Sequence, residues 1–205
     1  MTPIITSPLT YMTFVVFYMS YFLSRKLGIS ESISKAVPSL AHSLISTSTS
    51  SFAIINFNNE NYYISASIMF GYFLSDSILS IQEIDKPGRK ELLAHHVFSL
   101  LALLMPPNYW LPYFIFLAES SNVFGQITYL LIKMNQPRKL IMKSKQWQYW
   151  SFLVGRIVLW PFVFMLPVDN LTNVNIYFMY SLFVPIYLMS VFWMFKLHLS
   201  YDNVI

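Results

Sequence analysis

Cationic side chains occupy every second gap between the apolar runs of this chain, and that alternation constrains its fold more than any other feature. Arg25, Lys26 and Lys35 follow the first run, and Lys86, Arg89 and Lys90 follow the third. Lys133, Arg138, Lys139, Lys143 and Lys145 follow the fifth, and Lys196 closes the seventh. The gaps around Asn56–Asn61, Pro106–Asn108 and Pro167–Asn173 hold no Lys or Arg. Loops rich in Lys and Arg stay on the cytosolic side of a membrane. The pattern predicts an all-α polytopic membrane protein with seven transmembrane helices, its N-terminus outside or lumenal and its C-terminus cytosolic. Of the 13 Lys and Arg residues, only Arg156 lies inside an apolar run. A charge within a span is a functional-site hypothesis by default.

Composition agrees with a lipid environment. Charged residues make up 11% of the chain and hydrophobic ones 56%, with a mean hydropathy of +0.52. A soluble domain carries about 25% charged residues. The net charge of +4 is sorted by membrane side rather than gathered in one patch, which argues against a nucleic-acid partner. Lys133–Lys145 suits anionic cytosolic lipid. Cysteine is absent, so disulfides and thiolate metal sites are excluded. The sequon Asn170-Leu171-Thr172 falls in a gap expected to face the lumen. Met1–Thr10 lacks the positive n-region of a signal peptide, so the first span is expected to be a retained anchor.

A spanning helix needs about 20 apolar residues. The spans read as Pro8–Ser24, Ala36–Phe57, Tyr62–Gln82, Glu91–Met105, Trp110–Lys133, Trp147–Leu166 and Val174–Leu197. Tyr109, Trp110, Trp147 and Trp150 suit the membrane interfaces. The hydroxyl-rich run Ser46–Ser51 is expected to let helices approach closely. Three segments follow: an anchor helix and loop over 1–35, a main domain over 36–197 and a cytosolic tail over 198–205.

The polar residues inside the spans agree in depth. Counting from the cytosolic ends at about 1.5 Å per residue, His42 and Asp76 lie roughly 9 Å in, His95 and His96 roughly 6 to 8 Å, and Arg156 roughly 14 Å. Glu119 lies near the middle of the fifth span, and Asn122 and Gln126 follow it on the same helix face. Unpaired polar groups are costly in lipid, so these side chains are expected to face one another or a wet cavity. The bland alternatives are a buried ion pair of Arg156 with Glu119 or Asp76, a solvated Asp76 and a hydrogen-bonded packing role for His42. The adjacent pair His95-His96 points in two directions about 100° apart, one ring toward a cavity and the other toward a neighbouring helix. Imidazole suits proton transfer or nucleophilic attack near neutral pH. A metal is not expected, because adjacent histidines rarely share an ion and no H-E-x-x-H spacing occurs.

Gly71-Tyr72-Phe73-Leu74-Ser75-Asp76, then Arg89-Lys90-Glu91, then His95-His96 resemble the TLC domain. Ala118-Glu119-Ser120-Ser121-Asn122, Gly155-Arg156-Ile157 and Ala41-His42 are similar to motifs of its smaller members. The resemblance runs from Ala36 to Leu197. It implies six helices around a central lipid-accessible cavity and a setting in the endoplasmic reticulum. By similarity to the ceramide synthases in that family, His95 would carry an acyl group, His96 would support it, and Asp76 would orient or accept a proton. Acyl-CoA would then be a co-substrate, with no bound cofactor, and Arg156 or Lys90 would attract its phosphates. The chain departs from the ceramide synthases on the fifth span, where Ala118 replaces a histidine and Glu119 and Asn122 stand in place of paired aspartates.

The leading expectation is a protein of membrane-lipid metabolism or homeostasis that binds a long-chain lipid or acyl group among His42, Asp76, His95, His96, Glu119, Asn122 and Arg156. The alternative is an acyl-CoA-dependent lipid acyltransferase with His95, His96 and Asp76 as its catalytic residues. A retinal protein is disfavoured, since the only lysine of the last span, Lys196, lies at its end. The inward polar residues leave a transporter open as a reading, although no inverted repeat or paired broken helix is visible.

Overall fold

The computed structural model describes residues 3–105, 110–163, 165 and 173–202. A single turn, α1 (Pro3–Thr6), leads into α2 (Pro8–Lys26). Pro8 sits in the first turn of α2, where its missing N–H has no partner to lose. Arg25 and Lys26 end the helix and complement its dipole. Gly28, at φ 78°, turns the chain toward α3 (Glu31–Ile55). Next comes α4 (Asn59–Ile81), capped by Asn58, whose side chain accepts from the Asn61 N–H at 2.8 Å. Then follow α5 (Arg89–Leu103), α6 (Trp110–Lys133) and α7 (Arg138–Phe152). A π-helical segment, Leu153–Leu159, joins α7 to α8 (Trp160–Val163) without a break. The last helix is α9 (Asn173–Asp202).

The expected span Trp110–Lys133 coincides with α6, and the second, third, fourth and seventh differ from α3, α4, α5 and α9 mainly at their ends. The sixth differs more. Trp147 lies inside a rod that begins at Arg138, because the cationic stretch Arg138–Lys145 is too polar for an apolar run yet forms helix readily. Tyr109, the Pro106–Asn108 gap, Leu166 and the Asn170 sequon lie outside the described residues. Among the described residues, three helices are long and apolar enough to cross a membrane: Asn59–Ile81, Trp110–Lys133 and Tyr177–Ser200. The others fall short for visible reasons. The 15 residues of α5 span only about 22 Å at 1.5 Å each, against a hydrocarbon core of about 30 Å. In α3, serine and threonine dilute the apolar content.

Small residues set the closest helix contacts. A Cβ added to Gly71 on α4 would lie 2.5 Å from the Thr10 carbonyl oxygen and 2.8 Å from the Thr13 Cβ on α2. The hydroxyl run of α3 buries one stripe, with Ser43, Ser46 and Ser50 on it. Ser50 Oγ lies 3.0 Å from Ser65 Oγ on α4, and α3 packs most extensively on α6. Ser48, off the stripe, is exposed and bonds only its own helix at Leu44. The serine run thus both narrows the helix spacing and supplies hydrogen bonds.

Packing differs between the two ends of the bundle. At the end away from the cationic loops, Phe114 stacks on Phe183 at 4.3 Å and meets Trp160 edge-on at 5.3 Å. Tyr62, Met105, Trp110 and Met179 fill the rest. At the cationic end the same helices part and enclose polar residues. The outer surface carries exposed Val15, Val16, Leu44, Ile45, Phe192 and Phe195. Apolar exposure on that scale belongs in lipid rather than in water.

Candidate functional site

A cavity of about 470 Å³ opens from the cationic end of the bundle. All seven residues singled out from the sequence line it: His42, Asp76, His95, His96, Glu119, Asn122 and Arg156. They come from α3, α4, α5, α6 and the π segment, so the agreement in depth reflects a shared space. Gln126 lines it too.

His42 is the most enclosed imidazole, at 1% exposure. Its ring stacks on Tyr72 with centroids 3.6 Å apart and planes 6° from parallel. Phe17 of α2 meets both rings edge-on, at 5.8 and 5.2 Å. Ser46 Oγ lies 3.2 Å from His42 Nδ1, and the Tyr72 hydroxyl donates to Ser39 Oγ at 2.9 Å. This wall holds its side chains by stacking and short hydrogen bonds.

Glu119 and Arg156 face each other through an amide. Glu119 Oε2 accepts from Ser43 Oγ at 2.8 Å and from Asn122 Nδ2 at 3.2 Å, and lies 3.9 Å from His42 Nε2. Asn122 Oδ1 accepts from Arg156 Nη2 at 2.7 Å. The same Nη2 donates to the Ala118 carbonyl at 2.9 Å, and Nε donates to Ser121 Oγ at 2.9 Å. Phe152 and Trp160 flank the guanidinium at 4.8 and 5.9 Å from their ring centres. The alternative of a direct ion pair of Arg156 with Glu119 or Asp76 is not formed within 4.0 Å among the described residues. The reason is local. Gly155 lets the rod approach α6 until an added Cβ would lie 3.1 Å from the Leu117 carbonyl oxygen. The π segment then lays Arg156 along Ala118, Ser121 and Asn122, so the amide carries the contact to Glu119. Widened helical turns of this kind recur at functional sites.

The adjacent histidines diverge as their spacing requires, yet both line the cavity. His96, 3% exposed, places Nε2 3.5 Å from Asp76 Oδ2. His95 meets Trp193 of α9 edge-on at 5.2 Å and Phe73 at 6.1 Å. Its ring makes no hydrogen bond among the described residues, and its Nδ1 is enclosed. Asp76 therefore meets His96, not His95. A smaller pocket of about 40 Å³ shares Phe73, His95 and Glu119 with the main cavity and is otherwise walled by residues such as Leu103, Phe114, Trp160 and Phe183. The polar site thus borders an apolar one at His95.

The mouth is held by ion pairs. Lys35 and Arg89, both lining residues, bind Glu83 in the α4–α5 connection, Arg89 at 3.0 Å. Lys86 bridges Glu31 at 2.8 Å and Glu83 at 2.9 Å. A hydrogen bond shared with Glu83, then those from Lys86 and Lys35, hold the Glu31 carboxyl well below the usual carboxylate range. Hydrogen bonds to the same two carboxylates push the Lys86 ammonium up.

Sequence reading missed Tyr72, Ser39, Ser43 and Trp193. Tyr72 had a signal, since it precedes Asp76 by one helical turn and shares its face. Ser43 had one as the neighbour of His42. Trp193 had none, because it lies in a run of large apolar residues, Val191–Phe195, with no charged or imidazole group beside it.

The family model for the TLC domain matches residues 32–198, from the first turn of α3 through most of α9. No curated protein and no solved structure matches the chain. The matched stretch contains all seven sequence-predicted site residues and leaves α1 and α2 outside it. With more than half its length covered by that match, this chain belongs to the TLC-domain family, whose members are membrane proteins with lipid-related functions.

Proposed function

We propose that this protein acts in membrane-lipid metabolism or homeostasis by holding a long-chain lipid or acyl group in its polar intramembrane cavity. The observation that carries this reading is the junction at Phe73, His95 and Glu119, where a polar cavity and an apolar pocket share walls. An amphiphile has the same division. Ligand sites combine apolar walls with a few placed polar groups. Seven spans, with a lumenal N-terminus and cytosolic C-terminus, follow from the alternating cationic gaps. Residence in the endoplasmic reticulum is part of the proposal and rests on the family resemblance.

A second reading, acyl transfer from acyl-CoA, is favoured by one observation. His95 stands at the junction with neither ring nitrogen hydrogen-bonded among the described residues. In that reaction a His95 nitrogen attacks the thioester carbonyl, the C–S bond breaks, and CoA leaves as a thiolate that takes up a proton. An amine or hydroxyl then attacks the acyl-imidazole and gives up its proton, with His96 and Asp76 as acceptor groups, and the acyl C–N bond breaks so that the His95 imidazole leaves restored. Enclosure of Nδ1 leaves Nε2 as the nitrogen for attack. That tautomer places an unpaired N–H in the wall, at about 1–3 kcal/mol, and this weighs toward binding without reaction.

Intact-mass and native mass spectrometry after incubation with long-chain acyl-CoA test both readings. Retained non-covalent lipid with no CoA release supports the binding role. A covalent acyl adduct that disappears in His95→Ala establishes transfer instead. Absence of both adduct and retained lipid overturns the two readings together.

A further inference from the structure

Uncompensated charge in this chain is concentrated at the corner between α6 and α7. Residues 120–168 carry six Lys and Arg and no Asp or Glu, and all of the six but Arg156 fall between Lys133 and Lys145. The two cationic gaps before it contain Glu31, Glu83, Asp85 and Glu91. There Lys35 and Arg89 bind Glu83, and Lys86 binds Glu31 and Glu83. At the α6–α7 corner, Lys133 rests over the Tyr129 ring at 5.4 Å, and Lys145 donates to the Ser200 carbonyl at 3.4 Å. Lys139 and Lys143 are exposed, and their ammonium groups form no ion pair or hydrogen bond among the described residues.

That placement works against α7 itself. Lys139 lies in its first turn, where a cation opposes the helix dipole, and no acid offsets it there. Lys143 follows at i+4, and like charges at that spacing repel. An anion between the two ammonium groups relieves both conflicts. The rest of the rod identifies what carries the anion. Trp147 and Trp150 follow Lys143 by four and seven residues, so they share its face, and both are half-exposed. Further along, Val154, Val158 and Phe162 are exposed as well. Cation, indole and aliphatic group in that order repeat the depth profile of one membrane leaflet. The scale agrees. Trp147 and Trp150 lie about 6 and 10 Å beyond Lys143 along the axis, and the headgroup layer on each side of the hydrocarbon core is about 5–7 Å deep. A free anion would need the lysines alone, whereas a phospholipid uses the whole stripe.

We infer that the outer face of α7 seats an anionic phospholipid, its headgroup between Lys139 and Lys143, its glycerol backbone at Trp147 and Trp150, and its chains along Val154 and Val158. None of these residues lines the polar cavity, so the assignment stands apart from the reading of that cavity.

The test uses the purified full-length protein in a non-ionic detergent with equimolar phosphatidylserine and phosphatidylcholine of the same acyl chains. Native mass spectrometry counts the lipid retained. Phosphatidylserine is expected to exceed phosphatidylcholine at least about fivefold, the scale of one lysine beside an anionic lipid surface. Lys139→Gln combined with Lys143→Gln is expected to bring the ratio to about one. Lys143→Gln alone is expected to give an intermediate ratio, and it decides if the double variant does not fold. Arg25→Gln combined with Lys26→Gln removes as many cations from another gap and is expected to leave the ratio unchanged. Inorganic phosphate at matched ionic strength is expected to displace no lipid. Lipid held in the cavity is common to every variant and cancels from the change in ratio. Equal retention of the two lipids by the unaltered protein overturns the assignment, and so does a ratio that the Lys139 and Lys143 variants leave intact. An equal fall in the Arg25 and Lys26 variant assigns the preference to cationic loops in general and overturns the discrete seat. Displacement by phosphate overturns the lipid as its occupant.

Discussion

Asn122 decides whether two buried charges are compensated. Among the described residues it is the one side chain that bonds both Arg156 and Glu119. Replacing it with leucine leaves both charges buried and lacking a shared partner. Two hydrogen bonds to charged groups are lost, each worth about 1.5–3 kcal/mol, and the loss is read from the unfolding midpoint in detergent. Gln126→Leu, one turn further along the same face, removes no hydrogen bond among the described residues and is expected to shift the midpoint little. At the mouth, pH has a predictable sign. The Glu31 carboxyl titrates below its unfolded value, which is about 4.3. Its contribution is therefore complete above that value and fades as the pH falls toward the folded-state one. Thermal stability is expected to drop more steeply between neutral and acidic pH in the parent protein than in Glu31→Gln, and parallel profiles would count against the network.

At the scale of elements, glycine and the π segment determine how near the helices come. Gly71→Ala brings a Cβ to within 2.5 Å of the Thr10 carbonyl oxygen, and a backbone atom cannot move aside as a side chain can. Overpacking of this kind costs about 1–3 kcal/mol. Melting curves are expected to show that loss, and a smaller one for Gly155→Ala, whose added atom lies 3.1 Å from its nearest neighbour. Much of the element pattern was legible in the sequence. The residues of α6 follow directly from the apolar run, and counting from the cationic gaps placed His42, Asp76, His95 and His96 at a common depth. The route from Arg156 to Glu119 was not legible. Counting by 3.6 residues per turn misplaces any side chain within a π segment, and seven residues from Leu153 to Leu159 are wound that way. The Tyr72–His42 stack was equally hidden, since it depends on how α3 lies against α4 rather than on either helix alone.

Across the whole molecule, charge placement and packing point the same way. Lys35 and Arg89 line the open end of the cavity, and the proposed orientation puts that end on the cytosolic side by the positive-inside rule. A protease site and epitope tag added after Ile205 are expected to be cleaved in sealed microsomes without detergent, and protection of that tag would invert the proposed orientation. At the other end, the described Phe114, Trp160 and Phe183 close the bundle. Among the described residues the cavity is in effect a cul-de-sac. On the proposed lipid-binding reading, an occupant leaves by the door it used, so a new one waits for the old one to go and two amphiphiles compete rather than pass.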